Sequence, residues 1–185
     1  MTTLLFIHSA GSQAEGEGSS TLLAGLRSAL PIGMTLVAPS MPDPEAPAAE
    51  PWIVQCRAAM AAIEGKFIAV GHSLGGSILL QSLSRSGIPP NLAGVVLLAV
   101  PFWGAKDWDV PEFTLDDTAP ERLSSLAHVV LMQGEADEVV AHDHPQLYRA
   151  VLPQARVRLL KGIDHEAAAA APEVLEEVNR LATPA

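Results

Sequence analysis

Apolar residues in this chain follow two alternating periods. Thr3 to Ile7 is an unbroken run of strand formers, the pattern of a parallel strand covered on both faces. The polar stretch His8-Ser9-Ala10-Gly11-Ser12 interrupts it. Leu22, Leu23, Leu26 and Leu30 then recur at three and four residues and stop at Pro31, which predicts a helix with a defined end. Met34 to Ala38 reads as a second strand. Prolines at 39, 42, 44, 47 and 51 predict an extended surface loop from Pro39 to Pro51. Trp52, Ile53, Cys56, Ala59, Met60 and Ile63 mark one face of a helix that stops near Gly65. Phe67 to Val70 is a third strand, followed by helical spacing to about Gly87. Leu92 to Val100 carries almost no polar residue and reads as a central fourth strand. Ala127 to Met132 and Arg156 to Leu160 are the fifth and sixth strands. Helices are predicted at Pro145 to Leu152 and at about Pro172 to Leu181, with Pro172 acceptable in a first turn.

Strands alternating with helices predict an α/β fold: a three-layer α/β/α sandwich with about six parallel strands, helices on both faces and right-handed crossovers. Sites in such sheets lie beyond the carboxyl ends of the strands, where the winding reverses. The loops after residues 70, 132 and 160 therefore matter most. Pro101 to Leu123 has no clear period, yet carries Phe102, Trp103, Trp108 and Phe113, half of the chain's eight aromatic residues. It reads as a short lid-like excursion from one domain spanning residues 1–185.

Composition narrows the function classes. A length of 185 residues suits one domain with a real core. No apolar stretch approaches the roughly 18 residues of a membrane span, and the N-terminal run is too short and too free of basic residues to be an export signal. Cys56 is the only cysteine, so no internal disulfide forms and a reducing cytoplasm is the expected location. With a net charge of −10 and scattered basic residues, neither nucleic acid nor an anionic membrane is an expected partner. Oligomeric state is not written in the residues.

Chemistry concentrates at Gly71-His72-Ser73-Leu74-Gly75. It fits G-x-S-x-G, in which a strand turns sharply into a helix and exposes a serine at the apex. A serine hydroxyl is a poor nucleophile until a base takes its proton, so a functional elbow needs a histidine and an acid to orient it. After the fifth strand comes Gly134-Glu135-Ala136-Asp137-Glu138-Val139-Val140, and after the sixth Gly162-Ile163-Asp164-His165. Glu135, Glu138 and Asp164 compete with Asp137, and read as solvated loop charge. His72 reads as structural, pointing away from Ser73. His142-Asp143-His144 invites a metal reading, but an exposed helix N-terminus fits better, and no metal or cofactor is expected.

These three segments, in this order, resemble the α/β-hydrolase superfamily, closest to its small, nearly capless serine hydrolases. The resemblance covers nearly the whole chain. It implies that Ser73 attacks an acyl carbon, His165 relays the proton, and Asp137 orients the imidazole. It also implies an oxyanion hole built from the N–H of Leu74 and an N–H of the loop after the first strand, where His8-Ser9-Ala10-Gly11 resembles the family's H-G-x-G. By that match the second donor is Ala10; Ser9 stands where the family has glycine, so the choice between Ser9 and Ala10 stays open. His8 is then a support beneath the loop. Phe102, Trp103 and Trp108 would wall the substrate site. The implied activity is a serine esterase acting on a small ester or related acyl compound. An amidase, thioesterase or lyase could use the same residues, and a non-catalytic ligand-binding protein could keep the scaffold.

Overall fold

The computed structural model describes residues 1–105 and 108–183. Lys106 and Asp107 of the predicted excursion, and the last two residues of the predicted domain, lie outside them. Six strands, β1 (Thr2–Ile7), β2 (Met34–Val37), β3 (Phe67–His72), β4 (Leu92–Leu98), β5 (Val129–Gly134) and β6 (Arg156–Leu160), pair in the order β2-β1-β3-β4-β5-β6. Every pairing is parallel. The chain winds outward from β1 to β2, then crosses back to β3, so the winding reverses between the loops that leave β1 and β3. Among the described residues six α-helices cover the sheet: α1 (Ser20–Ser28), α2 (Ala49–Ala61), α3 (Leu74–Ser86), α4 (Ala119–Leu123), α5 (His144–Val151) and α6 (Ala171–Ala182).

The period-two alternation of strand side chains divides the core into two layers. Leu5, Ile7, Phe67, Ala69, Val95 and Leu97 pack with residues of α2, α3, α4 and α5. Leu4, Phe6, Ile68, Val70, Val96 and Leu98 pack with α1 and α6. The three-layer sandwich expected from the sequence is thus the observed fold. At one edge, Arg156 and Arg158 of β6 reach Glu177 of α6, which also takes a bond from Arg180 at 3.0 Å. Burial would raise the Glu177 carboxyl, but these guanidinium bonds outweigh it and hold its pKa at about 2. This clamp fastens the strand that delivers His165. Cys56 is buried, and burial pushes its thiol up to about 12, which makes it inert packing.

Several boundaries shift by one or two residues from the sequence reading, and three departures bear on the site. The proline-rich loop ends earlier, because α2 starts at Ala49 and takes Pro51 into its first turn, where amide hydrogens lack helical partners anyway. Strand β5 runs on through Gln133 and Gly134, both buried, and the polar Gln133 had hidden that continuation. Inside 101–123 the chain forms a 3₁₀ turn at Pro111–Phe113 and the five-residue α4, too short to show a period. This segment is fastened to the body. Gln81 of α3 donates to the carbonyls of Glu112 and Thr114, and the Glu112 carboxylate accepts the N–H of Ala49 at 2.8 Å.

Candidate active site

Strand β3 ends at His72, and the next residue adopts φ 51°, ψ −123°, a conformation non-glycine residues rarely hold. That residue is Ser73. The turn is tight enough that a Cβ on Gly71 would lie 2.5 Å from the Cα of Gly76, while one on Gly75 would run into the carbonyl oxygens of Ile7 and His8. The glycines therefore let α3 begin directly against the end of β1. Ser73 is held from behind, its own N–H donating to Leu98 O at 2.8 Å.

The loop after β6 is brought alongside by backbone contacts. Gly134 has no room for a Cβ against Ile163 O, and that same oxygen accepts the N–H of Ala136 at 3.0 Å. His165 then projects between Asp137 and Ser73. Its Nδ1–H donates to Asp137 Oδ2 at 3.0 Å and Oδ1 at 3.2 Å, which leaves the Nε2 lone pair to face Ser73 Oγ at 3.1 Å. Hydroxyl, imidazole and carboxylate form one hydrogen-bonded row.

The carboxylate end of that row is buried and fully satisfied. Asp137 has no exposed side-chain surface, and accepts from Gln133 Nε2 at 2.8 Å and from the N–H groups of Val139 at 2.9 Å and Val140 at 2.8 Å. Burial works to raise its pKa, but the bond from His165 and the two backbone donors outweigh burial and hold the carboxyl below its usual range. The competing acids are elsewhere. Glu135 and Glu138 are exposed, and Asp164 turns back to accept the N–H of Ala167 at 3.0 Å.

His72 has a larger part than the sequence suggested. It does not face Ser73: its Nε2–H donates to the carbonyl oxygen of His165 at 2.8 Å, tying the backbone of the His165 loop to the end of β3. Burial, then the neighbouring His165 ring, push His72 down to about 4, so it is a neutral donor at ordinary pH. Gln133 and Ser19 were likewise missed, since a lone polar residue in an apolar period carries no signal of its partner. Ser19 Oγ accepts the N–H of Ser9 at 3.1 Å and bonds His8 Nδ1 at 2.9 Å, which makes His8 a buried support under the loop. The N–H of Gly11 goes to Pro44 O at 2.8 Å. Among the described residues, Ala10 N–H has no such partner.

Three aromatic residues of the segment after β4 pack on one another beside α3. Trp103 donates its ring N–H to Ser77 Oγ at 2.7 Å and packs against Trp108 and Phe113 at centroid distances of 5.1 and 5.0 Å. With Phe102 and Tyr148 it walls a cavity of about 370 Å³ beside α3. Phe102 and Trp108 flank a second cleft of about 690 Å³, closed on its other side by Val139, Ala141 and Leu147. The His142-Asp143-His144 expectation needs correction at its last residue. His144 is buried, because its Nδ1 accepts the N–H of Phe102 at 2.7 Å and so ties α5 to the segment after β4. His142 and Asp143 are exposed. Among the described residues no three His, Cys, Asp or Glu side chains converge to hold a metal ion.

A family model for serine hydrolases matches residues 29–177, most of the chain. The chain belongs to the serine hydrolase family. No curated protein matches its sequence. Solved structures share the fold of this serine hydrolase at low identity. The ydeN gene product of B. subtilis is 16% identical over 100% of both chains, with a TM-score of 0.81. TT1662 of Thermus thermophilus is 16% identical over 100% of this chain and 90% of its own, with a TM-score of 0.74. Est1E of Butyrivibrio proteoclasticus is 11% identical over 98% of this chain and 86% of its own, with a TM-score of 0.67. The serine hydrolase is therefore an α/β-hydrolase in fold. Among its described residues no helix is long and apolar enough to cross a membrane.

Proposed function

We propose that this serine hydrolase is an esterase that cleaves a small ester, or a related acyl compound, through an acyl-enzyme on Ser73. The observation that carries the reading is the 3.1 Å approach of Ser73 Oγ to an imidazole nitrogen whose partner nitrogen is bonded to a buried carboxylate. In the first step His165 Nε2 takes the hydroxyl proton as Oγ attacks the acyl carbon. The imidazolium so formed is stabilised by Asp137, then returns the proton to the leaving alkoxide. Water, deprotonated by the same nitrogen, releases the acid and restores Ser73.

The tetrahedral oxyanion needs donors already in place. Leu74 N–H, at the first turn of α3, is one. Ala10 N–H is the better second donor, since the neighbouring N–H groups of Ser9 and Gly11 are already bonded to Ser19 and Pro44. Phe102, Trp103 and Trp108 supply apolar walls for the acyl or alcohol group. Carboxylesterases of an ammonia-oxidizing thaumarchaeon and lipolytic enzymes from metagenomes share the fold, and favour an ester over an amide.

A fluorophosphonate probe tests the assignment. Wild-type protein should be labelled at Ser73 and should hydrolyse p-nitrophenyl butyrate, while Ser73→Ala should lose both. Labelling that survives in Ser73→Ala would overturn it.

A further inference from the structure

Near its carboxyl end the apolar strand β5 buries an amide. Val129 to Met132 are buried, and Gln133 after them has no exposed surface either, so a leucine there would extend the run without taking a polar group out of water. Gln133 Nε2 has two hydrogens, and both go to the loop that follows: one to Asp137 Oδ2 at 2.8 Å, the other to Val140 O at 3.0 Å. The amide cannot be turned over. Its Oε1 would then face a carboxylate oxygen and a carbonyl oxygen with no proton between them. Where it stands, Oε1 is buried and has no hydrogen-bond partner among the described residues, a cost that the two N–H bonds must offset.

The two oxygens of Asp137 are held by different parts of the protein. Oδ1 accepts the N–H groups of Val139 and Val140, two and three residues on in the same loop, so these bonds travel with the loop if it shifts. Oδ2 accepts Gln133 Nε2 and the shorter of the two His165 contacts, 3.0 Å against 3.2 Å. Gln133 itself is fixed by the sheet: it pairs with Leu159 of β6, and the preceding Met132 pairs with Leu98 of β4. Leu98 is the residue whose carbonyl holds Ser73 N–H, and β6 is the strand that leads to His165. One amide therefore ties the carboxylate to the strands that fix the other two groups of the row.

Building on the esterase reading, we infer that Gln133 is a positioning residue for that reaction: its amide closes the loop of Asp137 onto β5 and turns Oδ2 toward the Nδ1–H of His165. Without it the carboxylate keeps, besides His165, only the donors of its own loop, and is free to swing about its Cβ–Cγ bond. The Nδ1–H then loses its better partner, and the Nε2 lone pair is aimed less well at Ser73 Oγ. The effect falls on the chemical step and leaves substrate binding alone.

Gln133→Met keeps the length and the apolar stem of the side chain but removes both N–H groups. Its kcat for p-nitrophenyl butyrate should fall about tenfold with KM unchanged. Gln133→Glu has the native shape, and at about pH 6 its buried carboxyl beside Asp137 is held protonated and offers one O–H to Oδ2. At that pH it should keep roughly three times the kcat of Gln133→Met, the effect of one modest hydrogen bond. A kcat for Gln133→Met within about twofold of wild type, or equal losses in the two variants, would reduce Gln133 to packing and overturn the inference. Should Gln133→Met fail to fold, Gln133→Leu makes the same comparison. A measurement without substrate separates this from failure of the esterase reading. In the resting protein the Nδ1–H of His165 should give a proton resonance shifted downfield by its carboxylate bond, and that resonance should move upfield in Gln133→Met and stay nearer its wild-type place in Gln133→Glu. A moved resonance upholds the positioning even in a protein that cleaves no ester. Identical resonances in wild type and Gln133→Met would sink the inference whatever bond the enzyme cleaves.

Discussion

The two ends of the sheet follow different rules. Where β3 and β4 begin, a cavity of about 790 Å³ opens among Val54, Met60, Ile63, Ile88, Pro89 and Asn91, larger than either of the two near the carboxyl ends that Phe102 lines. Its one long cation is the exposed Arg57, and no row of titratable groups points into it. At the carboxyl ends the space is divided among smaller cavities, and there is more strain. All four non-glycine residues with positive φ among the described residues, Asp43, Ser73, Ala99 and Ala167, lie in connections that leave the carboxyl ends of β2, β3, β4 and β6. The buried imidazoles of His8 and His72 are there too. The largest single cavity therefore does not lie at the end that holds the row of Ser73, His165 and Asp137. Strain held in place by packing, together with buried and bonded polar groups, is what distinguishes that end.

The widest gap between the two ends should open at Asp137. Replacing it with Asn should lower kcat for p-nitrophenyl butyrate by roughly 10⁴-fold, as expected when the imidazole loses its anionic partner and its tautomer. A drop below tenfold, with the fold intact by circular dichroism, would reduce the carboxylate to a loop cap and erase the contrast.

A smaller effect is expected one step back from the row. His72→Leu keeps apolar bulk but removes the donor to His165 O, and should cost about tenfold to a hundredfold in kcat with KM unchanged. His72→Gln returns an N–H at similar reach and should recover most of that loss. Equal losses in both variants would show that His72 only fills space.

Acid should take the two kinds of buried polar group apart in sequence. His8 and His72 ordinarily protonate near 6.5 and are pushed down to about 4, so the unfolded chain binds protons that the folded one refuses. The stability they support is complete above about pH 6.5 and lost as pH falls to about 4, on the order of 3 kcal/mol for each. Glu177, held at about 2 instead of 4.5, keeps its contribution above pH 4.5 and loses it toward pH 2. Urea midpoints measured across pH 7 to 2 should fall in these two windows; a flat profile between 6.5 and 4 would contradict the buried neutral imidazoles. The smallest effect belongs to the roomy end. Ala58→Trp places a large ring in the 790 Å³ cavity and should change kcat/KM by less than about twofold, and a larger loss would tie that end to the chemistry after all.

Much of this was legible one residue at a time. Continuous apolar runs such as Phe67 to Val70 have one stable use, a parallel strand covered on both faces, and alternation with helical spacing leaves little choice of layers. Gly71 and Gly75 around a serine announce a turn that no side chain could share. Where signals were short or depended on a distant partner, reading failed. Pro51 looked like loop because a proline in a first turn and a proline in a loop are alike in sequence. His144 looked exposed because its polar flank is visible along the chain, whereas the Phe102 amide that buries it is 42 residues away.

The amino-acid sequence by itself determined the layered α/β architecture and the serine at its elbow, because hydrophobic period and backbone sterics act over neighbouring residues. Only the tertiary structure decided that Ser9 spends its amide on Ser19 and that His72 grips the backbone of His165. Those choices are made by hydrogen bonds between loops far apart in the chain, and such bonds form only once the sheet has brought its strand ends together.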